Sequence, residues 1–186
     1  MINQIQDFYD TNAEVNICYY YCDFARDQLL TPAKLVGSLL AQLLRGEAMW
    51  EMTESKILAL FNEHENKSSY PKLQDLEGLL LEVAQVLTTT IIVVDALDEV
   101  PNRAGIIEFL LRLIRFEGDI KLFVASRNEP DLEDAFEAFG GITIRSSDVK
   151  ADVERYVRSR ISQSRWKSAK DSDDVINTLT QKADGM

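Results

Sequence analysis

The sequence predicts an α/β protein with three layers, in which a parallel sheet carries helices on both faces. Three observations predict this fold class. Apolar runs without alternation end in polar residues, as strands buried on both faces do. Amphipathic helical stretches separate these runs, and such alternation is typical of a parallel sheet with crossover helices. The chain has 186 residues, 46% hydrophobic and 27% charged, which suffices for a core without disulfides or a structural metal.

The first half of the chain predicts a strand among helices. Apolar residues at helical spacing predict a helix at Met1–Asp10, and the aromatic and β-branched run Val15–Phe24 predicts a strand. Thr31 is an N-cap before a proline, so it starts a helix, which Gly46 ends. Two further apolar stripes predict helices at Thr53–His64 and Leu76–Leu87.

The run Thr90–Val94 is predicted to be the central strand. Its four consecutive Ile and Val residues contribute roughly 1.5–3 kcal/mol each when buried. Three acids follow it, Asp95, Asp98 and Glu99, here called the acid trio. They lie at the carboxyl edge, where open α/β sheets bind ligands. A buried strand that ends in Asp before a turn is common without any function. Clustered acids repel each other, however, unless a cation or solvent screens them, so the trio favours a functional site over a plain turn.

The second half of the chain continues the alternation. A strongly apolar helix is predicted at Ala104–Phe116, and a strand at Ile120–Ala125 that ends in Ser126 and Arg127. The remaining predicted elements are a helix at Pro130–Phe139, a strand at Ile142–Arg145, a helix from Ser147 through Ile161, and a helix at Asp173–Ala183.

Consecutive strands of such a sheet place their carboxyl ends at one edge. The acid trio, Ser126–Arg127 and Asp23 are therefore expected to converge. Arg127 could reach a terminal phosphate there, or it could be a surface residue paired with Asp131 or Glu129. Asp23 is expected to be only a cap or turn residue.

Charge and cysteine content restrict the function and the compartment. The net charge of −11 argues against a general nucleic-acid binder, but a local phosphate site with magnesium remains compatible with it. Cys18 and Cys22 are too far apart on a strand for a disulfide, so we expect packing thiols in a reducing compartment. His64 is expected to be solvated, not a ligand or base. Without a secretory signal or a membrane-length apolar run, the protein is expected to be cytoplasmic.

The segments CYYYCDF, TIIVVDALDE and KLFVASRNEP, in this order, resemble the NACHT domain of STAND-class P-loop NTPases, particularly the fungal NLR-like intracellular receptors. TIIVVDALDE is similar to the Walker B strand, and LFVASRNEP to the sensor 1 strand. The resemblance implies a partial NACHT core at residues 1–147, containing strands two to five, and the start of the following helical region at residues 148–186.

The resemblance also implies roles for these residues. Asp95 would hold Mg²⁺ through water, and Asp98 and Glu99 would polarise the attacking water. Ser126 and Arg127 would contact the nucleotide, with Arg127 sensing the γ-phosphate. The family binds ATP or ADP and uses the exchange to switch between a closed monomer and an oligomer.

The family's phosphate loop, G-x-x-x-x-G-K-[ST], is absent, and the 186 residues contain no Gly-Lys pair. We therefore expect that the sequence starts just after this loop and lacks strand one. Without the backbone cradle and its lysine, ATP binding is expected to be weak and hydrolysis by this chain is not expected. The open slot in the sheet is expected to favour self-association or pairing with another NACHT-type chain. No nucleic-acid or membrane partner is expected.

Two other functional classes compete with a truncated ATPase core. One is a nucleotide-free interaction scaffold of the same ancestry. The other is a phospho-acceptor receiver domain, with Asp95 and Ser126 at neighbouring strand ends. That fold needs an acid pair after its first strand and a lysine after its last. Here Cys22-Asp23 supplies one acid, and Arg145 stands where the lysine is required.

Overall fold

The computed structural model describes residues 14–25, 30–45, 47–67, 69–162 and 175–179, together with residues 5, 7 and 9. The strands in this part of the chain are β1 (Val15–Tyr21), β2 (Thr89–Asp95) and β3 (Ile120–Val124). The helices with defined bounds are α1 (Pro32–Leu43), α2 (Glu47–Lys67), α3 (Leu73–Val86), α4 (Ala104–Ile114), α5 (Pro130–Phe136) and α6 (Ser146–Ser162).

The chain divides into two compact units, Met1–Phe136 and Glu137–Met186. The first contains the sheet and α1–α5. The second contains α6 and the helical residues 175–179, and its Val153, Val157 and Ile161 are partly buried at helical spacing. The predicted boundary after residue 147 stays a prediction.

The three strands form one parallel sheet in the order β1-β2-β3. The central strand β2 pairs along its length with β1, from Val15 opposite Thr89 to Tyr21 opposite Asp95. All residues from Thr90 to Val94 are buried, which explains why the sequence shows no alternation there. The predicted α/β class with a parallel sheet is confirmed.

The two faces of β2 contact different helical layers. Ile92 and Val94 belong to a large apolar cluster with buried residues of α1, α3 and α4, including Leu39, Leu80 and Phe109. Ile91 and Val93 face the other way and contact Ile5 and Tyr9, both of which are helical. Helical residues therefore lie on both faces of the sheet. Of the helix predicted at Met1–Asp10, residues 5, 7 and 9 are described, and the rest lies outside the described residues.

The start of α1 follows its predicted capping signal. Thr31 has an extended backbone, and its Oγ1 accepts a hydrogen bond from the Lys34 N–H at 3.3 Å, with Pro32 as the first helical residue. Its apolar stripe is buried at positions Leu35, Val36, Leu39, Leu40 and Leu43. This face fixes α1 against the sheet.

Two sequence predictions are wrong in the fold. Residues 141–145, predicted to contain the strand Ile142–Arg145, form neither strand nor helix, and Ile142 is 94% exposed. β-branched residues give strand propensity, but a strand also needs a neighbour, and β2 is the only described strand that pairs with β3. The resemblance implied four strands, two to five of the family, and the described residues form three strands.

The second wrong prediction is the solvated His64. This residue is 8% exposed, and its Nδ1 lies 2.8 Å from the Ser69 Oγ. The reason is that α2 continues to Lys67, so His64 follows Ile57 and Leu60 on the inward side of the helix. The predicted helix at Thr53–His64 is thus longer at both ends.

Neither cysteine is in a disulfide and both are buried, as expected for packing residues. Burial raises the pKa of the Cys18 thiol to about 12, so this thiol stays protonated at neutral pH. Of the helix predicted at Asp173–Ala183, residues 175–179 are helical and the others lie outside the described part of the chain.

Candidate functional site

The site at the carboxyl edge is built around the segment Asp95–Glu99, here called the acid turn. Asp95 ends β2, and Ala96 follows in the left-handed region with φ 57° and ψ 43°. Leu97–Glu99 then form one 3₁₀ turn. Leu97 is fully buried, so its side chain anchors the acid turn in the apolar core.

Backbone hydrogen bonds tie the acid turn to both neighbouring strands. The Cys22 N–H donates to the Asp95 carbonyl at 2.9 Å, and the Leu97 N–H donates to the Ala125 carbonyl at 3.1 Å. The acid turn therefore connects the residues that follow β1 with those that follow β3.

Two carboxylates of the acid trio reinforce the same connections. Asp98 Oδ1 accepts a hydrogen bond from the Arg127 N–H at 3.0 Å, and its Oδ2 lies 3.6 Å from Arg127 Nε. Glu99 Oε2 accepts a hydrogen bond from the Phe24 N–H at 3.0 Å. The Asp98 side chain is only 9% exposed. These two acids thus bind backbone donors beyond β3 and β1, and their predicted role in polarising water stays a prediction.

Asp95 differs from the other two acids. Its Oδ1 accepts a hydrogen bond from the adjacent Ala96 N–H at 3.0 Å, and its carboxylate has no other partner among the described residues. The side chain is half-buried at the end of the central strand. Of the trio, Asp95 is therefore the carboxylate that binds no other segment.

The two residues predicted after β3, Ser126 and Arg127, are both exposed at this edge. The Arg127 side chain is 80% exposed, and it is close to Asp98 and not to Asp131 or Glu129. Asp23 lies beyond β1, and its Oδ1 accepts a hydrogen bond from the Ala25 N–H at 2.9 Å. This bond confirms Asp23 as a turn residue.

Sequence reasoning missed Arg103, which binds the backbone of the acid turn. Its Nη1 donates to the Asp98 carbonyl at 2.9 Å, and its Nε and Nη2 donate to the Asp131 carboxylate at 2.8 and 2.7 Å. Its Nη2 also lies 3.7 Å from Glu129 Oε2. Asp131 and Glu129, which were considered as partners of Arg127, are therefore partners of Arg103. An arginine next to a helix N-terminus faces the positive end of the dipole, and this signal could have indicated a compensating anion.

The Arg103–Asp131 pair shifts both groups toward their charged forms. The hydrogen bond from Arg103 lowers the pKa of Asp131, and the same bond raises the pKa of Arg103. The pair joins the acid turn to the first turn of α5, which follows β3 in the chain.

The left-handed backbone conformation of Ala96 predicts that glycine at this position stabilises the protein. A non-glycine residue in the left-handed region costs roughly 1–2 kcal/mol, because its Cβ approaches the following carbonyl. Replacing Ala96 by glycine is therefore expected to raise the free energy of unfolding by about 0.5–1 kcal/mol, after the larger loss of backbone entropy is subtracted. Urea denaturation measures this change. The control Ala84→Gly lies inside α3, where glycine should destabilise; equal effects at both positions would contradict the strain at Ala96.

No group of three or more His, Cys, Asp or Glu side chains that could hold a metal ion occurs among the described residues. The helices in the described ranges include none that is both long and apolar enough to cross a membrane.

Comparison with known proteins gives one family. The family model described as nephrocystin 3, N-terminal, matches residues 1–127. The match covers the sheet, the acid turn and Ser126–Arg127. No curated protein matches the chain significantly.

Proposed function

This chain belongs to the nephrocystin 3 N-terminal family, and we propose that it forms the Walker B and sensor part of a NACHT-like, nucleotide-dependent signalling switch. The observation that supports this proposal is the acid turn itself. It presents Asp95 at the centre of the carboxyl edge and links the residues after β1 to those after β3. The NACHT assignment rests on the resemblance of TIIVVDALDE and LFVASRNEP, since the matching family model is a different one.

Asp95 fits the magnesium role of this proposal. Mg²⁺ in phosphate sites is held by one or two carboxylates, with waters and phosphate oxygens completing its coordination. Among the described residues, Asp95 is the acid of the trio whose carboxylate binds no other segment, so it can take this role without breaking the connections made by Asp98 and Glu99. When bound, Mg²⁺ would neutralise phosphate charge at this edge.

Arg127 is the residue that would respond to the nucleotide. Its side chain is 80% exposed, and its Nε is 3.6 Å from Asp98 Oδ2, which is longer than a strong ion pair. A γ-phosphate would compete with Asp98 for this guanidinium, while the Arg127 N–H stays bound to Asp98 Oδ1. The side chain can therefore turn toward a phosphate while its backbone keeps its position.

A specific observation favours a second function, the nucleotide-free interaction scaffold. Asp98 and Glu99 already bind backbone N–H groups, so in this chain they stabilise the edge without any ligand. The 186 residues also contain no Gly-Lys pair to cradle phosphates. On this alternative the chain acts by self-association or by binding another NACHT-type chain, in the cytoplasm.

Equilibrium binding of a fluorescent ATP analogue tests the proposal. We expect weak binding that requires Mg²⁺ and is lost in Asp95→Asn, because the carboxylate supplies the magnesium contact. The matched control is Asp75→Asn, an exposed acid in the first turn of α3, which should bind like the wild type. If neither the wild type nor the control binds with Mg²⁺, the nucleotide proposal is contradicted and the scaffold is favoured.

A further inference from the structure

The outer edge of β1 carries an unusual contact. In a parallel pair, successive residues direct their backbone N–H and C=O alternately toward and away from the partner strand. The Cys22 N–H bonds to β2, which places Cys18, Tyr20 and Cys22 in the set that faces β2 and Tyr19 in the set that faces outward. Both outward groups of Tyr19 are bound by one side chain. Gln42 Oε1 accepts from the Tyr19 N–H at 3.1 Å, and Gln42 Nε2 donates to the Tyr19 carbonyl at 2.8 Å.

The primary amide of Gln42 thus takes the place of a peptide group of an added strand. A peptide of a neighbouring parallel strand would offer one acceptor and one donor to the same two atoms. Gln42 is also held from its own helix, since its Nε2 donates to the Ser38 carbonyl at 3.1 Å. Tyr19 is the fifth of seven residues in β1, so any strand that pairs along this edge must displace Gln42.

The space beside this edge is open. A cavity of about 490 Å³ is lined by Tyr19, Tyr20, Tyr21, Ser38 and Arg45, together with Ala41 and Gln42. Nothing in the cavity other than Gln42 binds the outward groups of Tyr19 in the described part of the chain. The edge of β1 therefore borders open space, and the side-chain amide of Gln42 is the group that occupies its backbone hydrogen-bonding positions at Tyr19.

We propose that Gln42 is an edge plug, which keeps β1 from pairing with a strand of a second copy of this chain. Unpaired edges are templates for such pairing, and proteins block them by specific devices. The sheet is asymmetric in this respect. At β3, the outward backbone groups of Leu122 and Val124 have no partner among the described residues. Any strand pairing by the wild type is thus confined to the β3 side. This inference does not depend on nucleotide binding.

The test replaces Gln42 by methionine, which keeps side-chain length and helix propensity but removes the amide. Size-exclusion chromatography with light scattering is run at several concentrations. We expect the mass of Gln42→Met to rise toward twice that of the wild type at equal concentration. The matched control is Gln85→Met, the same change at an exposed position of α3, which should keep the wild-type mass.

Amide hydrogen exchange locates the new contact. In the wild type, the Tyr19 amide should exchange at least about tenfold more slowly than the outward amides of Ile17 and Tyr21 on either side. In associated Gln42→Met, all three amides should become protected. Protection gained at Leu122 and Val124 instead would place the contact on β3 and contradict the proposal.

Two further outcomes decide against the plug. If Gln42→Met keeps the wild-type mass while the Tyr19 amide loses protection, the amide is only a local hydrogen bond. If Tyr19 in the wild type exchanges as fast as Ile17, the plug does not form at all. If Gln42→Met does not fold, the proposal is tested by the exchange rate of Tyr19 in the wild type and by the variant Gln42→Glu. The glutamate keeps the acceptor for the Tyr19 N–H and puts a charge on the edge, so it should keep the wild-type mass.

Discussion

Replacing Leu97 by alanine is expected to lower the free energy of unfolding by about 3–4 kcal/mol. Leu97 is fully buried in the large apolar cluster, and Leu→Ala changes in packed cores cost about 2–5 kcal/mol, depending on how far the site can collapse. Collapse is limited here, because the Leu97 N–H is bonded to the Ala125 carbonyl and the Asp95 carbonyl to the Cys22 N–H. The cavity should therefore stay open, so the cost should lie above the lower end of this range. Urea denaturation with an unchanged m-value measures it.

Leu58→Ala is the matched control for this substitution. Leu58 is 47% exposed on α2, so its truncation should cost less than about 1 kcal/mol. In Leu97→Ala, the amides of Phe24 and Arg127 should also exchange faster, since both donate to acids of the anchored turn. Similar costs for the two leucines would mean that Leu97 does not anchor the acid turn.

The sheet was predictable because its signals are local. The buried run before Asp95 has no alternation, and this reports burial on both faces without knowledge of any partner. The Thr31–Pro32 start of α1 was predictable for the same reason, since an N-cap and its first turn are neighbours in sequence. The grouping of the acid trio with Ser126 and Arg127 followed from topology alone, because parallel strands share their carboxyl edge.

The contacts of the site were not predictable because they join distant residues. Asp98 binds the N–H of a residue 29 positions away, and Glu99 binds one 75 positions away. The sequence shows that these side chains are acids, but not which donors they meet. The predicted strand at Ile142–Arg145 was wrong for a related reason. Its composition indicates strand propensity but does not indicate whether a neighbouring strand is present. The prediction that His64 is solvated was wrong because the polar residues around it in the sequence obscured its helical spacing from Ile57 and Leu60.

The five residues of the acid turn differ in their structural contacts. Leu97 is buried in the core, Asp98 and Glu99 accept hydrogen bonds from both flanking segments, and among the described residues the Asp95 carboxylate binds only the adjacent Ala96 N–H. A strained Ala96 lies between them, and strained residues cluster where the surrounding structure fixes them for a purpose. Among the described residues, the side chains of Asp98 and Glu99 therefore bind other segments and that of Asp95 does not. Stability measurements can separate these roles.

Asp98→Ala is expected to lower the free energy of unfolding by about 2–3 kcal/mol, because it leaves the Arg127 N–H without its charged acceptor at a site that is 9% exposed. Asp98→Asn keeps the shape and an acceptor oxygen, so it should cost about half as much.

Asp95→Asn is the contrasting variant. Among the described residues its carboxylate binds only the adjacent Ala96 N–H. The asparagine keeps an oxygen acceptor for this bond and removes one of three negative charges within five residues. The change in the free energy of unfolding should therefore lie within about 0.5 kcal/mol of zero or be stabilising. Urea denaturation of the three variants in the absence of divalent cations measures the series. Stabilisation by both Asp98→Ala and Asp98→Asn would show that Asp98 is held against repulsion for a bound cation, and would overturn its structural role.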